Sequence, residues 1–358
     1  MSRLDALLDG RSVVVCCGAG GVGKTTMSAA IGLAAARRGR RVVVVTVDPA
    51  KRLGEALGLK HGLGSDPERL ELDGDLNPGL NGELWAMMLD PTVELERVIR
   101  SHAVRPGQAD EALANPFTQS IGTALGGTQE YMATEVVHRL VHDDRFDLVV
   151  VDTPPSDRAM EVIEAPDVLV RFLDHQVFKL LMGTGGRAMR LLSAATQPLL
   201  RAVGRVIGTA VLDDVVDFLR SFTGMEASFR ERAVTVRRLW RSDSTAFVVV
   251  TAPRPDTVAE SGRFSDQLAA AGIDTDLVIA NRCSPAMGVE AGADPWSPVA
   301  LDADPVDRAR ALADWAARLY RAESDALAQL GDPLRIDRIP GDVHDLETLS
   351  VLADAIGT

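Results

Sequence analysis

The sequence predicts an α/β fold: a mostly parallel sheet covered by helices on both faces, with an inserted helical subdomain. Three observations predict it. Short β-branched runs alternate with helical patterns along most of the chain. A glycine-rich loop stands between the first such run and the first long helix. Two stretches, residues 91–127 and 164–241, interrupt the alternation with helix-forming sequence.

The strands are expected at residues 12–17, 41–47, 84–88, 147–151, 245–251 and 277–280, all near-continuous apolar runs of the kind buried on both faces. Helical patterns follow at 24–38, 128–141, 256–271, 306–330 and 344–356. Residues 284–305, rich in Pro, Gly and Asp, read as a loop. The resulting division is a nucleotide-binding core of residues 1–90, 136–164 and 242–358, with a helical subdomain of residues 91–135 and 165–241.

The chain has 358 residues, 46% of them hydrophobic, which is enough for a sizeable core. Its formal net charge of −13 argues against a protein that coats nucleic acid, because phosphate contact needs an excess of cations. Four lysines, Lys24, Lys51, Lys60 and Lys179, stand against 34 arginines, so each lysine kept against that habit is worth attention. There are three cysteines, Cys16, Cys17 and Cys283, with no disulfide framework and no CxxC pattern, so no zinc is expected. Asp5 and Asp9 near the start, and the lack of any run of about 18 apolar residues, give the expectation of a reducing, cytoplasmic location.

The most specific signal is Gly18-Ala19-Gly20-Gly21-Val22-Gly23-Lys24-Thr25-Thr26, which fits G-x-x-x-x-G-K-[ST], the P-loop of nucleoside-triphosphate-binding proteins. Glycines let backbone N–H groups converge on phosphate oxygens, and the following helix start adds its positive dipole end. In such a loop Lys24 bridges the β- and γ-phosphates and the Thr25 hydroxyl ligates Mg²⁺. Gly18, Gly20 and Gly23 also fit the dinucleotide fingerprint, with Asp48 where a ribose-binding acid would stand. That reading, an oxidoreductase, gives Lys24-Thr25 and Asp152 no task. A plain glycine turn is the third reading.

Two apolar runs end in acids. Residues 146–155, Phe-Asp-Leu-Val-Val-Val-Asp-Thr-Pro-Pro, place Asp152 where α/β sheets bind ligands, and beside a P-loop it would hold the hydration shell of Mg²⁺. Its other reading is a helix cap. Asp48, before Pro49, could orient or deprotonate an attacking water, or cap the next helix.

Taken together, GAGGVGKTT, VDPAKRLGEALG, VVVDTPPSDRAMEVIEAP and VIANRC resemble the arsenite-pump ATPase family, which includes the ATPase that targets tail-anchored membrane proteins. The resemblance covers most of the chain in order. It implies a Mg²⁺-dependent, ATP-hydrolysing dimeric switch of the P-loop class. By its motifs, Lys24 and Thr25 take the phosphate and metal roles, and Asp48 activates water in the first switch. Asp152 opens the second switch, and Asn281 reads adenine. As a lone residue, Asn281 would more often form a strand-end turn.

Two departures bear on function. The family's lysine directly after the first glycine, which reaches the partner's phosphates across a dimer, is Ala19 here. Either a homodimer manages without it, with Lys51 or Arg52 supplying the charge, or a lysine-bearing paralogue completes a heterodimer. The latter could leave this chain a regulatory subunit with little hydrolysis of its own. The family's zinc staple is also missing, since Cys283 stands alone, and no three-cysteine arsenite trap is expected, since Cys16 and Cys17 lie in a predicted buried strand and Cys283 at the end of another.

Residues 176–212 carry five cations (Lys179, Arg187, Arg190, Arg201, Arg205) and no acid, in amphipathic sequence. The expectation is a surface for a hydrophobic client or an anionic membrane, peripheral to the latter. A second stripe, Met225, Phe229, Ala233, Val236 and Trp240, is open to the same reading or to plain core.

Overall fold

The computed structural model describes residues 2–48, 52–59, 61–72, 82–116, 118, 127–175, 218, 220–286, 304–339 and 341–357. Lys51, Lys60, most of the loop at 284–305 and the whole basic stretch 176–212 lie outside the described residues.

The valine-rich runs occupy the middle of one sheet, the environment that suits a strand apolar on both sides. Its strands are β1 (Val13–Gly18), β2 (Arg41–Thr46), β3 (Glu68–Leu70), β4 (Glu83–Met88), β5 (Leu148–Asp152), β6 (Thr245–Thr251), β7 (Leu277–Cys283) and β8 (Leu334–Asp337). They lie in the order β3-β4-β2-β5-β1-β6-β7-β8. Every pairing is parallel except β3–β4. All residues of β1, β5 and β6 are buried. The expected strands are all present, with ends moved by at most three residues and those of β6 unmoved. β3 and β8 are additions, and both are sheet edges. An edge strand needs only one partner and one covered face, so Glu-Arg-Leu and Leu-Arg-Ile-Asp carry no apolar run to betray them.

On one face lie α1 (Arg3–Leu8), α2 (Lys24–Ala36) and α11 (Leu346–Gly357). Helix α2, Lys-Thr-Thr-Met-Ser-Ala-Ala-Ile-Gly-Leu-Ala-Ala-Ala, buries all but its second and third residues, as a helix apolar all round must. α9 (Pro255–Ala270) and α10 (Pro305–Leu327) pack with β6 and β7 respectively. A short helix, α3 (Arg52–Ala56), follows β2. α4 (Pro91–His102) starts at Asp90, which accepts from the Thr92 and Val93 N–H groups ahead of a proline at the first helical position. The remaining helices are α5 (Gln108–Ala114), α6 (Thr128–Val141), α7 (Ser156–Asp174) and α8 (Glu226–Trp240).

The chain separates into two compact units. One comprises Met1–Met88, Leu140–Met160 and Arg241–Thr358, and holds the sheet; the other comprises Leu89–Arg139 and Glu161–Trp240. In the second unit the stripe on α8 is core. Met225, Phe229, Ala233, Val236 and Trp240 are all buried, and Phe229 stacks on the His102 ring at 4.2 Å between centroids. The unit also buries charge in pairs. Glu135 takes the Tyr131 hydroxyl and Arg232 Nη1 (3.1 Å), and Glu94 takes Arg139 Nη2 (3.0 Å).

Helix α2 lies close against the sheet at Gly32. A Cβ there would fall 2.5 Å from Val44 Cγ2 and 3.3 Å from Leu84 Cδ1, both in buried strands. Gly32→Val should therefore destabilise the protein by about 2–3 kcal/mol despite removing a helical glycine, through overpacking. Urea denaturation followed by circular dichroism measures it, and a midpoint at or above wild type would contradict this account of the packing.

Candidate active site

β2, β5 and β1 are neighbours and end on the same edge of the sheet. That edge gathers the glycine loop, Asp48 and Asp152 in one unit of the protein. β1 ends at Gly18, with φ +144°, where a Cβ would fall 2.0 Å from the Val250 carbonyl oxygen of β6. Only glycine lets the chain leave β1 against that backbone. Gly23 closes the loop at φ +95° and forms the N-cap of α2, with no side-chain cap bond. The first N–H groups of α2 are thus left for an anion.

Lys24 is 8% exposed, and its ammonium donates to the Ala19 carbonyl at 2.8 Å. Burial pulls its pKa down, against the attraction of Asp152, Cys17, Asp48 and Glu260. Asp152 is 0% exposed, and burial pushes its carboxyl up to about 6. Hydrogen bonds from Thr25 and Thr46 and the charge of Lys24 work the other way, while Asp48 adds to the rise. Thr46 Oγ1 donates to Asp152 Oδ2 at 2.9 Å, and Ser28 Oγ stands 3.5 Å from Oδ1. Asp48 follows β2, half-buried, near enough for its charge to act on both Lys24 and Asp152.

The donor set around Asp152 is one carboxylate and the hydroxyls of Thr25, Ser28 and Thr46. Oxygen-only donors of this kind fit Mg²⁺, which keeps most of its water and takes few protein ligands. A carboxylate raised by burial for want of countercharge also favours a cation. Among the described residues no group of three or more His, Cys, Asp or Glu is arranged to hold a metal. The cysteine thiols are buried, and desolvation pushes Cys17 up to about 12 and Cys283 up to about 11.

Asn281 lies within β7 rather than at its end. Its amide donates to the Val22 carbonyl at 2.8 Å, directly behind Gly23, whose Cβ would meet Nδ2 at 2.4 Å. The structure therefore brings Asn281 to the loop backbone. Gly20 and Gly21 have open space where a Cβ would be, and Val22 is buried beneath the loop. Thr26 follows Thr25 in the first turn of α2, and both are half-buried. Sequence reasoning missed Ser28, Thr46, Thr153, Glu260 and Arg282. Thr46 had a signal, as the hydroxyl that directly follows a run of four valines. Thr153 ties the segment after β5 to β1 through the Cys16 carbonyl at 2.9 Å. Glu260, on α9, accepts the Ser156 hydroxyl and acts on Lys24 from a helix remote in sequence, so nothing local announced it.

The raised Asp152 carboxyl sets a pH dependence. It binds its proton below about 6 in the folded chain and near the ordinary 3.8 when unfolded. The folded state therefore holds more protons between those values, and stability falls as pH rises through them. At neutral pH the penalty is about 3 kcal/mol. Asp152→Asn should raise the denaturation midpoint of the nucleotide-free protein at pH 7.5, with the gain shrinking towards pH 5. A midpoint lowered at pH 7.5 would contradict this reading of the buried carboxylate.

Comparison with known proteins fits this geometry. The anion-transporting ATPase family model matches residues 11–292, a span that holds the loop, Asp48, Asp152 and Asn281. ATPase GET3 of Malassezia globosa is 27% identical over 293 residues, covering 78% of this chain and 75% of that protein. ATPase get3 of Neurospora crassa is 26% identical over 283 residues, covering 78% and 76%. That of Schizosaccharomyces japonicus is 26% identical over 272 residues, covering 74% and 72%. With a family match over most of its length and a phosphate loop on the same sheet edge as two strand-end acids, the chain belongs to the anion-transporting ATPase family and is an ATP hydrolase.

Proposed function

We propose that this chain uses ATP binding and hydrolysis as a two-state switch at a dimer interface, in the cytoplasm, coupled to a hydrophobic client or an anionic membrane surface rather than to arsenite. The observation that carries the reading is the convergence of an uncapped helix start, a buried amine and a buried carboxylate at the ends of adjacent parallel strands. An apolar cleft would serve a small apolar substrate; this edge serves a polyanion with its cation.

In this reading the loop N–H groups of residues 18–26 cradle the phosphates, with Lys24 on the β- and γ-phosphates. Thr25 directly and Asp152 through water would hold Mg²⁺, which supplies charge neutralisation across those phosphates. Asp48 orients a water in line with the γ-phosphorus and accepts its proton as the new P–O bond forms and the bond to ADP breaks. Asn281, whose amide has a further N–H and its oxygen to offer, reads the adenine edge. Nucleotide state is passed along Asp152–Ser156 into α7, the covalent route out of the site.

Support for a hydrophobic client comes from the relatives named ATPase GET3 and from the basic amphipathic sequence of residues 176–212. Support for a heterodimer comes from Ala19, buried where the family pattern has a lysine. The competing reading, a regulatory subunit with little turnover, keeps the same site and differs only in rate.

Two measurements test this. Lys24→Ala should lower ATP turnover at least 100-fold, and Asp48→Asn should lower turnover about 10²–10³-fold while ATP still binds. NAD(P) binding that survives Lys24→Ala would instead favour the oxidoreductase reading. Turnover should also rise when a lysine-bearing paralogue is added to the purified chain; equal rates with and without it would sink the heterodimer. If the Asp48→Asn change lowers turnover only when made in the paralogue, the regulatory reading prevails.

A further inference from the structure

β7 closes on an unusual backbone. Arg282 has φ +62°, the one non-glycine residue with positive φ among those described. An arginine there is uncommon, because its Cβ crowds the carbonyl that follows. The β7–β8 ladder shifts register between Ala280 and Cys283, at the same place. In a flat strand, consecutive side chains point to opposite faces. Here consecutive side chains converge: Asn281 Nδ2 donates to the Val22 carbonyl at 2.8 Å, and Arg282 Nη1 donates to the Gly21 carbonyl at 3.2 Å. The bulge and the left-handed residue together aim both at one glycine loop.

The two differ in surroundings. Asn281 is buried, while Arg282 is exposed. No carboxylate among the described residues pairs with Arg282. A guanidinium has five N–H donors in a fixed fork, and one is spent on Gly21. The other four remain at the mouth of a loop whose backbone N–H groups are already arranged for anions. A residue needed only to brace the loop would not have to be charged or left unneutralised.

We propose that Arg282 is a nucleotide-contacting residue. Its guanidinium, steered by the backbone of β7, donates to phosphate oxygens of the nucleoside triphosphate held by the loop. The loop then has two side-chain cations from the same chain, Lys24 inside and Arg282 at the rim. This inference rests on the ATP reading of the site.

The test uses the full chain and equilibrium binding of ATP, with Arg282→Gly, Arg282→Lys and Lys24→Ala, each at low and high salt. Arg282→Gly suits the observed backbone, so its thermal midpoint should equal or exceed wild type. Its Kd for ATP should rise about tenfold at low salt, with a shallower salt dependence. Arg282→Lys should recover part of the affinity and the salt dependence. If Arg282→Gly binds ATP as wild type does while Lys24→Ala does not, the inference is overturned and the ATP reading stands. If Arg282→Gly loses affinity with an unchanged salt dependence and Arg282→Lys recovers nothing, Arg282 is only a brace, and the inference is again overturned. A wild-type chain that fails to bind ATP overturns both.

Discussion

The site depends on a carboxylate that the sheet buries before it has a cation to meet. Asp152 ends β5 between β1 and β2, so its strand neighbours are Cys16 and Thr46. Neither is charged. The cation whose charge acts on it, Lys24, directs its hydrogen bond at the Ala19 carbonyl. Burial therefore opposes the charge on both residues, raising one pKa and lowering the other, and their mutual attraction only offsets part of it. A ligand can shift a conformational equilibrium only by its differential affinity for the two states. Two buried, under-compensated opposite charges offer that difference to a phosphate chain and its cation together.

The geometry that makes this possible was readable where a residue type was forced by sterics. Gly18 and Gly23 must be glycine because of Val250 and Asn281, and their spacing is the sequence signal. β1, β5 and β6 were readable because strands buried on both faces are near-continuous apolar runs, polar only at their ends. β3 and β8 were not, because a covered edge tolerates charge. Asn281 shows a different limit. Its place on β7 was expected within a residue or two, but its hydrogen bond to Val22 depends on a register shift 259 residues away in sequence from its acceptor. Ser156 and Glu260 meet across 104 residues, and neither has a local pattern that names the other.

The second unit marks where periodicity stops informing. A helical stripe records that a face leaves water; it does not say what covers it. On α8 the cover is the unit's own core, with Phe229 on His102 and a paired Glu135 beneath. Residues 176–212 are amphipathic in the same way, and the α8 outcome bears on that segment only as a precedent. What separates the two in sequence is charge: the arginines around α8 meet Asp174, Asp167 and Glu135, whereas residues 176–212 contain no acid at all.

Solvation explains why this arginine-rich chain keeps a lysine in the loop. The space around Lys24 offers its head one described acceptor, the Ala19 carbonyl. An ammonium is compact and can rotate three donors about one acceptor; a guanidinium would bring five fixed donors into a pocket that cannot satisfy them, and each unmet donor costs about 1–3 kcal/mol. At the rim the balance reverses. Arg282 keeps one donor on Gly21 and gives the rest to water, so its fork carries no desolvation penalty until an anion arrives. The interior of the loop selects the point charge and its mouth tolerates the fork, and solvation, more than charge, decides which cation stands where.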